Sequence, residues 1–132
     1  MGNIDIHRDV ERDLTVFTAE GVLLADDVLQ AVQSFYDGEL TLNVLWDISG
    51  ADVSSIQWPD IEKIVQISVA HGDTRVGGKT AVVATEDITF GLSRVYEMIK
   101  EPEHLPFQTR VFRSLEDAKA WLFASSGTNR SW

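Results

Sequence analysis

No cysteine occurs in the 132 residues of this chain. That absence excludes a disulfide scaffold, a thiolate nucleophile and a Cys-ligated zinc site. Prolines number only three, and the nine glycines form no linker-like cluster. With no internal repeat or low-complexity block, nothing divides the chain into two domains. Long apolar runs are also missing: none approaches the roughly 20 residues that span a bilayer. Met1–Val10 is too charged for a secretory leader. The expectation is a cytoplasmic protein without a membrane span. Positive charge is scarce, with 11 Lys and Arg against 21 Asp and Glu and a formal net charge of −10. Such an excess opposes binding to nucleic acid or to anionic lipid surfaces, which are themselves polyanions. The imbalance falls early: up to Glu62 there are two basic residues against thirteen acidic ones, and beyond it nine against eight. This reads either as a solvated acidic surface or as a face that docks a basic partner.

What is present reads as one α/β domain over residues 4–124, with a loose tail at 125–132. Ile4–Arg8 and Leu14–Thr18 alternate apolar and polar residues on either side of the polar stretch Asp9–Asp13, which predicts a hairpin. After Gly21 the period changes. Val28, Val32, Phe35 and Tyr36 share a helical face, Asp26 and Asp27 lie in its first turn, and Gly38 stops it. Leu42–Ile48 is nearly continuous apolar sequence, as expected of a central strand covered on both sides. Ser49–Gln57 reads as a polar loop. Pro59 then suits a helix start, with Ile61, Ile64, Val65 and Ser68 as the buried stripe and Gly72 as the end.

Lys79–Thr85 reads as a buried strand, and Ile88, Leu92, Val95 and Ile99 as a helical stripe halted by Pro102. Phe107–Arg113 reads as the last strand. Ser114 with Asp117 caps a final helix that buries Leu115, Ala118 and Leu122. The order β-β-α-β-α-β-α-β-α implies a mixed, mostly parallel sheet of about five strands with four helices. If successive strands are neighbours, right-handed crossovers put the helices on one face. Phe17, Leu45 and Phe112 would then alternate against Val16, Val44, Trp46 and Val111. An uncovered apolar face would favour a homodimer.

Motifs for chemistry fail one after another. Gly78-Lys79-Thr80 resembles the end of a phosphate-binding loop, but Asp73 stands where its first glycine is needed and a strand follows instead of a helix. His7, His71 and His104 lack metal-ligand spacing, and His71 suits a helix C-terminus. No Gly-x-Ser-x-Gly elbow is present. Asp26-Asp27 point about 100° apart on a helix, so first-turn capping explains them. Asp47 lies at the end of a central strand, where ligands gather in open α/β sheets. As a phosphate acceptor it lacks the companion acids and lysine. As a structural residue it would accept N–H bonds from Ser49-Gly50-Ala51. No cofactor motif is found.

The segment Val44-Leu45-Trp46-Asp47-Ile48-Ser49-Gly50-Ala51 resembles the strand-to-loop segment of STAS domains, the family of anti-sigma-factor antagonists similar to sporulation stage II protein AA. Lys79–Thr85, Phe90–Glu97 and Phe112–Leu122 are similar to a bacterial STAS-like subgroup. The resemblance covers about Ile4 to Phe123. It implies a sheet with helices mainly on one side, and a regulatory or protein-interaction role without catalysis. In the antagonists a serine of this loop is phosphorylated. The register places that position at Ser55-Ile56-Gln57-Trp58, so the acceptor serine is absent in register, and Ser54 and Ser55 just upstream could substitute only if the loop were shifted. The resemblance also implies an alternative, a small apolar ligand or lipid carrier of the CRAL-TRIO kind. The expected partner or ligand loop is Asp47, Ser49, Ser54, Ser55 and Trp58. The expected pocket residues are Trp46, Arg94 and Tyr96, with Trp46 and Trp58 together forming an aromatic wall. A third reading is an enzyme using Asp47, a serine of Ser49–Ser55 and Arg94.

Overall fold

The alternation at the start of the chain becomes two antiparallel strands, β1 (Asn3–Asp9) and β2 (Leu14–Val22). Between them Asp13 takes a positive φ of 52°, a conformation open to Asp because its short side chain bonds locally. Its carboxylate accepts the Leu42 N–H at 3.0 Å, and its carbonyl accepts the Asn43 N–H. The turn therefore fixes where the next parallel strand begins. The computed structural model describes residues 2–38, 40–71, 74–87, 91, 94 and 107–124.

Helix α1 (Ala25–Asp37) follows with Val28, Val32 and Tyr36 buried, as the spacing predicts, Ala31 buried beside them and Phe35 half-buried. Asp27 accepts the Leu24 N–H, satisfying one of the free donors at the helix start. Strand β3 (Asn43–Asp52) leads to α2 (Trp58–Ala70), where Asp60 accepts the Gln57 N–H at 2.9 Å and Ile61, Val65 and Ser68 are buried. Strands β4 (Lys79–Val83) and β5 (Gln108–Phe112) precede α3 (Leu115–Phe123), whose first turn is capped by the Ser114 hydroxyl accepting from the Asp117 N–H at 3.1 Å.

The sheet has the order β1-β2-β3-β4-β5, antiparallel at its first pair and parallel thereafter. The expectation of about five strands in a mixed, mostly parallel sheet is met. Three helices, not four, lie among the described residues; the helix expected over Ile88–Ile99 falls almost wholly outside them. The tail 125–132 and His104 also lie outside them.

Registers across the sheet assign its faces. Phe17, Trp46, Val82 and Val111 form one row, and Thr15, Val44, Thr80 and Thr109 the row beside it on the same face. Against these rows pack α1 and α2, in clusters that include Val28, Ala31, Val32, Tyr36 and Ile61. Val16, Leu45 and Ala81 lie on the opposite face, followed by Val83 and Phe112. The expected grouping of Phe17 with Leu45 and Phe112 is therefore wrong. Alternation within a strand is local, whereas the phase between strands depends on their pairing.

The expectation that every helix shares one face needs the same correction. Crossover handedness constrains only a helix that joins two parallel strands. Helix α3 has no strand after it, and it packs Ala118 and Leu122 on Leu14, Leu45, Ala81 and Val83 of the opposite face. The surface whose exposure suggested a homodimer thus carries its own helix. Lys79 Nζ fastens α3 by donating to the Trp121 carbonyl at 2.8 Å, a favourable place for a cation near a helix C-terminus. Leu115, expected in the core, is 38% exposed at the first turn.

Candidate functional site

The polar stretch after Asp47 is not simply a loop. Thr18 pairs with Asp47 and Glu20 with Gly50, so two residues of β3, Ile48 and Ser49, lie opposite Ala19 alone. This is a β-bulge in the central strand. After it Gly50–Asp52 resume pairing with Glu20–Val22, and the strand ends five residues beyond Asp47. Ser and Gly serve bulges as well as turns, which is why the sequence suggests a loop here. The Asp47 carboxylate accepts both the N–H and the hydroxyl of Ser49, so it stiffens the bulge. Gly50 and Ala51, expected to bond to it as well, are strand partners of Glu20 and Gly21. Asp47 stands on the α3 face, across the sheet from Trp46.

Beyond the bulge an open cleft of about 890 Å³ lies at the C-terminal ends of the parallel strands. It is lined by Gly21 and Val22, by Ser49–Ser54, and by Glu86 and Asp87 after β4. Ser54 is exposed, and its N–H donates to Asp52 Oδ1 at 2.9 Å. The Ser54 hydroxyl, then this N–H, hold the Asp52 carboxyl below its ordinary value. Asp87 pairs with Arg113 Nη1 at 2.9 Å on the exposed rim. Ser55 turns away, its hydroxyl donating to the Leu23 carbonyl at 3.3 Å. Trp58, the first residue of α2, is 53% exposed and forms no aromatic wall with Trp46. Of the expected loop, Ser49 and Ser54 share the cleft, Trp58 stands exposed, and Asp47 and Ser55 support the backbone.

A second space lies on the other side of the loop. Between α1, α2 and the sheet is a cavity of about 130 Å³, walled mainly by apolar side chains including Phe17, Val28, Val32, Trp46, Ile61 and Val82. Trp46, one of the expected pocket residues, lies in this wall, stacked on Phe17 with ring centroids 4.2 Å apart. Val53 lines both the cavity and the cleft. Arg94 is exposed and Tyr96 lies outside the described residues.

The cavity has a polar end, and the sequence reading did not single out its main residues. Arg75 is only 3% exposed. Its Nε donates to the Leu42 carbonyl and its Nη2 to the Lys79 carbonyl, each at 3.0 Å. The guanidinium lies 4.2 Å from the Phe107 ring centroid and 5.8 Å from that of Phe35. A delocalised, weakly hydrated cation tolerates such burial better than an ammonium. Ser68 and Thr80 line the cavity as well. The Thr15 hydroxyl, in the same row, pairs with Thr41 at 2.8 Å. By contrast, Thr80 Oγ1 and Thr109 Oγ1 are buried without a hydrogen-bond partner among the described residues. Leaving such a group unsatisfied costs about 1–3 kcal/mol. Ser68, a hydroxyl on an otherwise apolar stripe, was the one sequence signal pointing here. Arg75 stands in no periodic segment, so nothing local announces its burial.

Among the described residues no group of three or more His, Asp or Glu side chains is arranged to hold a metal ion. No helix among them is long and apolar enough to cross a membrane. No family model and no curated protein matches the chain. Solved structures do. An uncharacterised protein from Shewanella loihica PV-4, described as a DUF3478-family protein with a SpoIIAA-like fold, is similar at 20% identity and a TM-score of 0.56, over 92% of this chain and 93% of that one. An anti-sigma factor antagonist from Mycobacterium paratuberculosis is similar at 14% identity and a TM-score of 0.65, over 92% and 94%. The chain has the STAS-like fold that Val44–Ala51 and the order of elements implied.

Proposed function

We propose that this protein is a non-enzymatic interaction module that presents the cleft beyond the β3 bulge to a basic segment of a protein partner. The observation that carries the proposal is the composition of that cleft. Asp52, Glu86 and Asp87 line it together with the exposed Ser54, at the strand ends where α/β folds place ligands. One neighbour of the same fold is an anti-sigma factor antagonist, which favours a protein as partner. The carboxylates that share the cleft with Ser54 also oppose a phosphate there, because like charges repel. Docking therefore works by charge complementarity and not by a phosphorylation switch. Asp47 holds Ser49, Asp52 holds Ser54 and Asp87 pairs with Arg113, so these carboxylates have local structural partners, which supports a role outside catalysis.

A photo-crosslinking residue placed at Ser54 or Trp58 tests this. Both positions should trap the same protein from lysate of the source organism, while Lys119 on α3 should not. The crosslink should weaken at least tenfold on changing Asp52, Glu86 and Asp87 to their amides. An identical pattern from all three positions would count against the proposal.

The cavity favours a second reading, in which the module also senses a small molecule. Its volume of about 130 Å³ bears on size. A cavity of roughly 150 Å³ accepts benzene, so this volume favours a compact ligand over a long-chain lipid.

A further inference from the structure

We infer that the cavity under α1 and α2 is a binding site for a compact amphiphile, an aryl or branched-alkyl carbonyl compound whose oxygen is held at Thr80. The inference rests on the small-molecule reading above and gives it a chemistry.

Three independent features define the ligand. Size comes from the volume of about 130 Å³, close to that of a cavity that accepts benzene, so the ligand body is about one small ring. An apolar body follows from the wall formed by Val28, Val32, Trp46 and Ile61. The head group follows from the polar end. Thr80 is 4% exposed, lines the cavity and has a hydroxyl without a hydrogen-bond partner among the described residues; Thr109, its register neighbour on the same face, has another. Arg75, bonded to the carbonyl of the preceding residue Lys79, walls the same end with a group that can only donate. An oxygen acceptor suits this surrounding, whereas a second donor does not. A carbonyl at Thr80 accepts the hydroxyl proton and leaves the hydrocarbon against the wall. A hydrocarbon of equal shape leaves that hydroxyl unsatisfied.

Methyl NMR of the full chain, labelled at Ile, Val and Thr methyls, tests this with two probes of nearly equal shape, acetophenone and α-methylstyrene. Acetophenone should shift the methyls of Val28, Val32, Ile61 and Thr80 saturably, leave Val16 and Val83 on the opposite face unmoved, and bind at least fivefold more tightly than α-methylstyrene. Thr80→Val should remove that preference, Thr80→Ser should keep it, and both proteins should bind α-methylstyrene within about twofold of the parent. An intermolecular nuclear Overhauser effect from acetophenone to the Thr80 methyl reports the pose even where Thr80→Val fails to fold. Equal binding of the two probes, or a contact from the ketone to some wall other than Thr80, would overturn the head-group assignment and leave the cavity a purely apolar site. Absence of saturable shifts from either probe would remove the small-molecule reading itself.

Discussion

Replacing Leu45 and Leu122 by alanine, singly and together, tests whether α3 covers the second face of the sheet. Leu45 is 1% exposed at the centre of the sheet, and Leu122 belongs to the same buried cluster. Leu45→Ala removes three carbons, about 2.4 kcal/mol at roughly 0.8 kcal/mol for each. The incompletely closed space raises the total to about 3–4 kcal/mol. Leu122, on a terminal helix that can shift, should cost about 2–3 kcal/mol. Domains of this kind have about 5–15 kcal/mol in reserve, so both variants should remain folded. In urea, with a slope of about 1.5 kcal/mol per molar, the Leu45→Ala midpoint should fall by about 2 M. The double variant should lose at least 0.5 kcal/mol less than the summed singles, since side chains of one cluster share the space they vacate. Val65→Ala, behind the other face, should instead combine with Leu45→Ala additively to within about 0.5 kcal/mol. Strict additivity of Leu45 with Leu122, or a cost below about 1 kcal/mol for either, would refute this placement of α3.

The paired glycines before β4 should respond very differently to alanine. Gly77, at φ +82° with open space around it, should lose about 1–2 kcal/mol by thermal denaturation. A Cβ at Gly78 would press into the Leu42 carbonyl oxygen, so Gly78→Ala should cost about 3 kcal/mol or more. Ser114→Ala should remove the α3 cap and lower stability by about 1 kcal/mol, with Ser114→Asp retaining most of it. The Asp52 carboxyl is more acidic when folded than its reference value of 3.8. Its bonds to Ser54 therefore favour the folded state above that value and fade as the pH falls through the native one. A carbon-13 titration should find the Asp52 midpoint below 3.8 and moving up toward it in Ser54→Ala. An unchanged midpoint in that variant would contradict the assigned cause.

The two sites were unequally legible. Ser49 and Ser54 could be named from their place after the apolar strand, because a polar stretch between strand and helix is visible one residue at a time. Glu86 and Asp87 join them only because β4 ends beside β3, a neighbour relation that no segment of sequence contains. Arg75 and Thr80 were hidden more deeply. An arginine after a helix reads as solvent-exposed, and Thr80, though placed in a buried strand, gave no sign of facing a cavity. Their burial depends on Leu42, Phe35 and Phe107, 33, 40 and 32 residues distant from Arg75 along the chain.

The amino-acid sequence by itself determined the hairpin, α1, α2, the central strand and the Ser114 cap. Periodicity, capping and glycine stops act over a few residues and need no distant partner. It also ruled out thiol chemistry through the absence of cysteine. Only the tertiary structure decided which alternating set faced which helix, since a register is a relation between strands. It also decided that the last helix crosses to the other face, because no following strand constrains that helix. The bulge that carries β3 past Asp47 exists through pairing with Glu20–Val22, and the polar end of the cavity through three separate segments meeting around Arg75.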